Sequence, residues 1–214
     1  MPRIDDYKNA LEIARREFKE KNPQRIAENS GAEFETGKGG AFFHLPFLNR
    51  KLRITWPEGE VIVPEGTKEL SLQEQGLVMH YLIQASGSPL TRTWITFREI
   101  PSGEFYFSAF VKRAKDPLVQ TFGPDPQRLI KIGKTLGGTE GTEGDASLYF
   151  QVFPRIPIGL ILWAGDEEFP PDGNLLFDAG IARYLSAEDV AVLSGMVVYP
   201  LIGLAQKKGI NNQE

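Results

Sequence analysis

Between residues 163 and 178 the chain sets carboxylates among large apolar side chains: Asp166, Glu167, Glu168, Asp172 and Asp178 alternate with Trp163, Phe169, Leu175, Leu176 and Phe177. This follows directly on the apolar run Ile158-Gly159-Leu160-Ile161-Leu162. A buried strand that ends in acids brings charge to the rim of a core, where an unpaired carboxylate is costly. Asp166, Glu167, Glu168 and Asp178 together have the chemistry to hold a divalent cation, and Asp166, Glu168 and Asp178 to supply a general acid and base. The structural alternative is a strand-to-loop junction in which one acid pairs with Arg155 or Arg98, others cap turns, and the rest face water.

A second group is His80, with Gly76 one turn before it and Gln84 one turn after on a helical spacing. Gly76 would leave room above the imidazole for another backbone or a flat ligand, which makes His80 a candidate axial ligand or donor to a cofactor such as a tetrapyrrole. The competing reading is a largely buried core histidine bonded to a neighbour. His44, between Phe43 and Leu45, reads as a strand residue. Trp94, Phe97, Arg98, Phe105, Tyr106 and Phe107 form a third group, which can line an apolar pocket around one cationic anchor, with Trp94 and Arg98 as its contacts to a ligand. The same residues also suit an ordinary core with a paired arginine.

Other motifs do not fit. Gly133-Lys134-Thr135 has the end of a phosphate-binding loop, but Arg128 stands where the pattern requires glycine and the preceding segment reads as helix. Asp166, Glu168 and Asp172 miss the calcium-loop spacing, and neither a nucleophile elbow nor a paired-histidine zinc motif occurs.

The 214 residues hold no cysteine, which excludes disulfides, thiolate catalysis and iron–sulfur clusters held by cysteine. A net charge of −4, with lysines and arginines scattered among acids, argues against a nucleic-acid partner. The opening Met1-Pro2-Arg3-Ile4-Asp5-Asp6 lacks the apolar stretch of a secretory signal, and the run near Ile158 is far shorter than the about 20 residues that span a bilayer. The expectation is a cytoplasmic protein with no membrane partner.

The elements that must position these residues are legible in outline. Asp5 or Asp6 caps a first helix whose stripe is Tyr7, Leu11, Ala14 and Phe18, and Asn22-Pro23 starts a second that ends at Gly31. Short strands follow at Ala41 to Leu45, Lys51 to Trp56 and Val61 to Val63, a small antiparallel meander. Ser71-Leu72-Gln73-Glu74 is a capping box opening a helix through Ala85. A strand is expected over Thr93 to Ile100, a helix from Phe105, and cap-plus-proline helix starts at Asp116-Pro117 and Asp125-Pro126. The low-complexity Gly/Thr/Glu stretch near 137–145 reads as a mobile loop, followed by the alternating strand Leu148, Phe150, Val152. A final helix from Ser186 carries Val190, Leu193, Val197, Leu201 and Leu204 on one stripe, with Pro200 as a kink or break. The whole, residues 1–214, reads as one α+β domain of small antiparallel sheets packed with several helices, helical at both ends.

His80-Tyr81-Leu82, Trp94-Ile95-Thr96-Phe97-Arg98-Glu99, Phe153-Pro154-Arg155, and above all Gly165-Asp166-Glu167-Glu168-Phe169-Pro170 with Leu176-Phe177-Asp178 occur in an order that resembles a prokaryotic domain-of-unknown-function family, DUF3786, of anaerobic bacteria and archaea. The resemblance covers most of the chain and brings no catalytic residues with it. Some relatives carry an added cysteine-rich iron–sulfur segment, which implies a setting of low-potential or corrinoid chemistry; this cysteine-free chain departs from that arrangement.

Three functions are therefore expected, in order. The first is a cytoplasmic binding module for a small molecule or cofactor, a tetrapyrrole among the candidates, in anaerobic metabolism and without covalent chemistry of its own. The second is a hydrolase or lyase working through the Asp166–Asp178 acids, alone or with a divalent cation. The third is a protein–protein adaptor that docks through the apolar C-terminal helix.

Overall fold

The computed structural model describes residues 4–210, which form an α+β structure with two antiparallel sheets. The contacts divide the chain into two compact units. One takes the described residues up to Leu90 together with Phe153–Arg155 and Arg183–Leu185; the other takes Thr91–Val152, Ile156–Ala182 and the described residues from Ser186 onward.

In the first unit, α1 (Ile4–Glu20) buries Leu11, Ala14 and Phe18, while Tyr7 stays half-buried nearer its start. Asn22 caps α2 (Pro23–Ser30) by accepting a hydrogen bond from the Arg25 N–H at 3.0 Å, and Gly31 ends it in the left-handed region at φ 74°. Four strands then run in sequence order: β1 (Glu33–Gly37), β2 (Gly40–Phe47), β3 (Arg50–Trp56) and β4 (Val61–Ile62). Phe43, Leu45, Phe47, Leu52 and Ile54 point into the core by strict alternation. The opposite face is polar: His44 bonds Glu35 at 2.9 Å, and the Arg53 guanidinium lies 4.2 Å from the Phe42 ring. The sequence does not announce β1, because Phe34 is its only large apolar residue; backbone pairing with β2 in the register Phe34↔Phe43 makes it a strand.

Helix α3 (Leu72–Gln84) opens on the expected capping box of Ser71 and Glu74. It buries Leu77, Val78, Met79, Tyr81, Leu82 and Ile83. Tyr81 is the centre of this unit. Its ring stacks on Phe153 at 4.1 Å and 6°, its hydroxyl donates to the Ser30 carbonyl at 2.6 Å, and the Arg155 N–H donates to it at 3.2 Å. Burial drives the phenol pKa far above its ordinary value, so it stays a neutral donor.

The second unit is built on a five-stranded sheet in the order β5-β9-β8-β7-β6, from β5 (Trp94–Thr96), β6 (Thr139–Glu140), β7 (Ala146–Phe153), β8 (Ile156–Trp163) and β9 (Asp172–Asp178). The expected strand from Thr93 to Ile100 stops at Thr96. There the Glu99 carboxylate accepts from both the N–H (2.7 Å) and the hydroxyl (2.8 Å) of Thr96, drawing Phe97–Glu99 into a 3₁₀ turn. The helix expected from Phe105 is present as α4 (Gly103–Phe110), followed by a π-helical turn at Val111–Lys115 and by α5 (Asp116–Phe122). Pro117 accounts for the wide turn, since it has no N–H to offer the Arg113 carbonyl four residues back.

Helix α6 (Pro126–Gly133) ends in the Gly133-Lys134-Thr135 segment, and the glycine serves packing. A Cβ there would stand 1.9 Å from Leu148 Cδ2. Within the stretch 137–145, Thr139 and Glu140 pair with Tyr149 and Leu148 as a short edge strand, and the Asp145 N–H donates to the Leu162 carbonyl at 2.9 Å.

Helix α7 (Ala187–Ile210) is the one helix among the described residues long and apolar enough to cross a membrane, with mean hydropathy 1.5 over 21 residues, yet 61% of it is buried in the protein. Of its apolar stripe Val190, Leu193, Val197 and Leu201 are buried and Leu204 is half-buried, and the helix continues through Pro200 without a break.

Candidate functional site

Asp178 ends β9 beside β5, opposite Trp94, and is 5% exposed. Oδ1 accepts from the Thr91 N–H (3.1 Å), the Thr91 hydroxyl (3.0 Å) and the Gly180 N–H (2.8 Å), while Oδ2 accepts from the Arg92 N–H (2.8 Å). Burial pushes its pKa up, but the N–H groups of Gly180, Thr91 and Arg92 outweigh it and hold the carboxyl below its ordinary value. A carboxylate enclosed by four donors fixes the Thr91–Arg92 segment, in which Arg92 takes the left-handed φ of 60°.

Asp166 does similar work at the surface. Its Oδ1 accepts from the N–H groups of Glu168 (2.8 Å) and Phe169 (2.7 Å), and these bonds, that of Phe169 first, keep its pKa low. Glu167 and Glu168 are exposed. Asp172 pairs with Lys115 at 3.0 Å. The acids that looked like one cluster therefore sit at the two ends of β9, Asp166 to Glu168 in the loop before Asp172 and Asp178 at the other end, a strand length of roughly 20 Å away. Among the described residues no group of three histidines and carboxylates is placed to hold a metal ion. Neither arginine considered as a partner pairs with them. Arg98 lies 3.9 Å over the Phe107 ring and meets Glu104 at 3.5 Å; Arg155 keeps a buried Nε without a hydrogen-bond partner. For Asp166→Ala, hydrogen exchange should accelerate at the Glu168 and Phe169 amides while the melting temperature hardly moves; a large drop in melting temperature would show that the loop supports the core.

His80 is half-buried rather than largely buried. The reason is helical spacing: Leu77 to Met79 and Tyr81 to Ile83 fill the core, which leaves Gly76, His80 and Gln84 on the remaining stripe. A Cβ at Gly76 meets nothing within 4 Å, so the glycine is not required by packing. His80 and Gly76 belong to the first unit, Trp94 and Arg98 to the second. Of the aromatic group around Trp94, Phe97 and Phe110 stack at 4.3 Å in the core, whereas Phe105 is 88% exposed.

Trp94 itself lies on the sheet face opposite that core. Strand alternation and the register Thr96↔Leu176↔Gly159 put Trp94, Leu176, Asn174, Gly159 and Tyr149 on this outer face. Trp94 on β5 and Tyr149 on β7 lean toward each other across β9 and β8 until their rings meet, centroids 5.1 Å apart and tilted by 43°. Gly159 is the floor that permits this, since a Cβ there would stand 2.7 Å from Tyr149 Cε1. The phenol is held by Glu143, and burial first, then this carboxylate, pushes its pKa up to about 12. Glu143 also accepts from the Ser147 hydroxyl at 3.1 Å and the Thr142 N–H at 3.0 Å. The indole remains 39% exposed.

Sequence reasoning singled out Trp94 but missed Tyr149, Gly159 and Glu143. Gly159 inside the apolar strand was the available signal, since a glycine there marks a close approach.

No curated protein and no solved structure matches the chain. The profile of one family does, a domain of unknown function, over residues 22–199, and with that extent of match the chain belongs to the DUF3786 family.

Proposed function

We propose that this protein is a cytoplasmic binding module that holds a small molecule without covalent chemistry, on the outer face of the five-stranded sheet at Trp94 and Tyr149. One observation carries this: an indole 39% exposed is held against a tyrosine ring over a glycine floor, with the phenol fixed from behind by Glu143. An aromatic surface already oriented in the free protein loses little side-chain entropy on binding. The carboxylates favour the same reading, because Asp166 and Asp178 are committed to backbone N–H groups at opposite ends of β9.

The test is equilibrium dialysis of wild type and Trp94→Ala, without oxygen, against the small-molecule fraction of an anaerobe's extract, with mass spectrometry of what each protein releases on denaturation. A compound enriched by wild type and lost from the variant is expected, and an intense near-ultraviolet band in the released compound would assign it as a tetrapyrrole. Equal recovery from both proteins overturns the proposal.

A further inference from the structure

We infer that the outward stripe of α7 is the surface on which this protein pairs with a second copy of itself, the two helices lying antiparallel across a two-fold axis.

Helix α7 is apolar on both sides. From Val190 to Ala205 it carries no charged residue. Val190, Leu193, Val197 and Leu201 face the core. Turned away from them, Glu188, Val192, Met196, Tyr199, Gly203 and Lys207 follow one another at spacings of three and four, within an arc of about 100°. None of the six is buried, and Tyr199 is 54% exposed. A surface helix ordinarily turns its polar residues to this side. Here the stripe is charged only at its two ends.

Those ends select the occupant. The stripe opens on an acid and closes on a base, so a copy laid antiparallel sets Glu188 against the partner's Lys207 and Lys207 against the partner's Glu188. A parallel copy would set acid against acid. The Glu188 Oε2 accepts from the Tyr106 hydroxyl at 3.2 Å, which orients the carboxylate and leaves its other oxygen for a cation. The same register places Val192 opposite the partner's Gly203 and Met196 opposite the partner's Tyr199. A large side chain then meets a small one, and a thioether meets a ring.

Gly203 is a second, independent observation. A glycine inside a helix weakens it, and a Cβ here meets nothing within 4 Å, so packing within the protomer does not require one. A second helix about 8–10 Å away does, because the partner's Val192 fills that space.

The experiment is sedimentation velocity of the full chain over a wide range of concentration. A dimer that dissociates on dilution and weakens as salt is raised is expected. Glu188→Lys and Lys207→Glu each bring like charges together at both ends, and each should weaken the dimer about tenfold or more. The double variant exchanges the charges and should restore it. Within one helix the two positions are about 29 Å apart, far beyond the Debye length of about 8 Å, so this rescue has no source inside a single chain. Gly203→Leu, which the protomer accommodates, should abolish the dimer while its circular dichroism stays that of wild type. A wild-type protein that is monomeric throughout, a double variant no tighter than the single ones, or a dimer indifferent to Gly203→Leu overturns the inference. So does a monomer that floats with phosphatidylcholine–phosphatidylglycerol vesicles, which would give the stripe to a lipid surface. None of these outcomes touches the Trp94–Tyr149 face.

Discussion

Replacing Tyr81 with Ala should lower stability by about 3–5 kcal/mol, the range for deleting a fully buried aromatic ring. The ring is covered on one side by Phe153 at 4.1 Å, with Tyr184 6.1 Å away, so its removal leaves a cavity that rigid neighbours cannot close. Tyr81→Phe separates the ring from the hydroxyl. It keeps the stack but leaves the Ser30 carbonyl and the Arg155 N–H without their shared partner, at a cost of about 1–3 kcal/mol. Denaturant unfolding of the two variants reads both numbers. A Tyr81→Phe variant as stable as wild type would mean that water replaces the hydroxyl at no cost, and that the ring alone matters.

Asp178→Ala should cost about 2–4 kcal/mol at neutral pH, because three N–H groups and a hydroxyl lose their acceptor. The effect has a defined pH dependence. The folded carboxyl titrates below its unfolded value, so its contribution is fully present above the ordinary aspartate pKa of about 3.9 and disappears as pH falls through the lower folded value. The stability gap between wild type and Asp178→Asn, which keeps the shape and removes the charge, should therefore be wide at pH 7 and narrow below about pH 4. A gap independent of pH would show that the loss comes from packing rather than from the carboxylate.

How far the sequence foretold this structure depended on the kind of signal. Elements with a local cause were legible: the Asn22-Pro23 start, the Ser71–Glu74 capping box, and the buried stripe of Leu11, Ala14 and Phe18. Elements whose cause is a partner were not. β1 is a strand because β2 is beside it, and Thr139 and Glu140 form a strand because Tyr149 and Leu148 pair with them, where composition alone suggested a loop. The acidic run was visible, but residues close in sequence were mistaken for residues close in space; an extended strand carries Asp178 away from Asp166 faster than any other backbone conformation would. The aromatic face was the least legible. Trp94 and Tyr149 are 55 positions apart, and their meeting requires the strand order β5-β9-β8-β7, which no local pattern encodes.

The first unit is discontinuous along the chain, and this has a consequence for its birth on the ribosome. The helices and meander before Leu90 are synthesised first, but Phe153, which covers the Tyr81 ring, and Tyr184, whose hydroxyl bonds the Ser88 carbonyl, are added dozens of residues later. Until they emerge, Tyr81 has neither its stacking partner nor the Arg155 N–H, and a nascent chain stopped at Leu90 carries an open core. The half of the protein made first is therefore completed only when most of the other half has been made, so an interrupted translation product exposes apolar surface instead of leaving behind a finished domain.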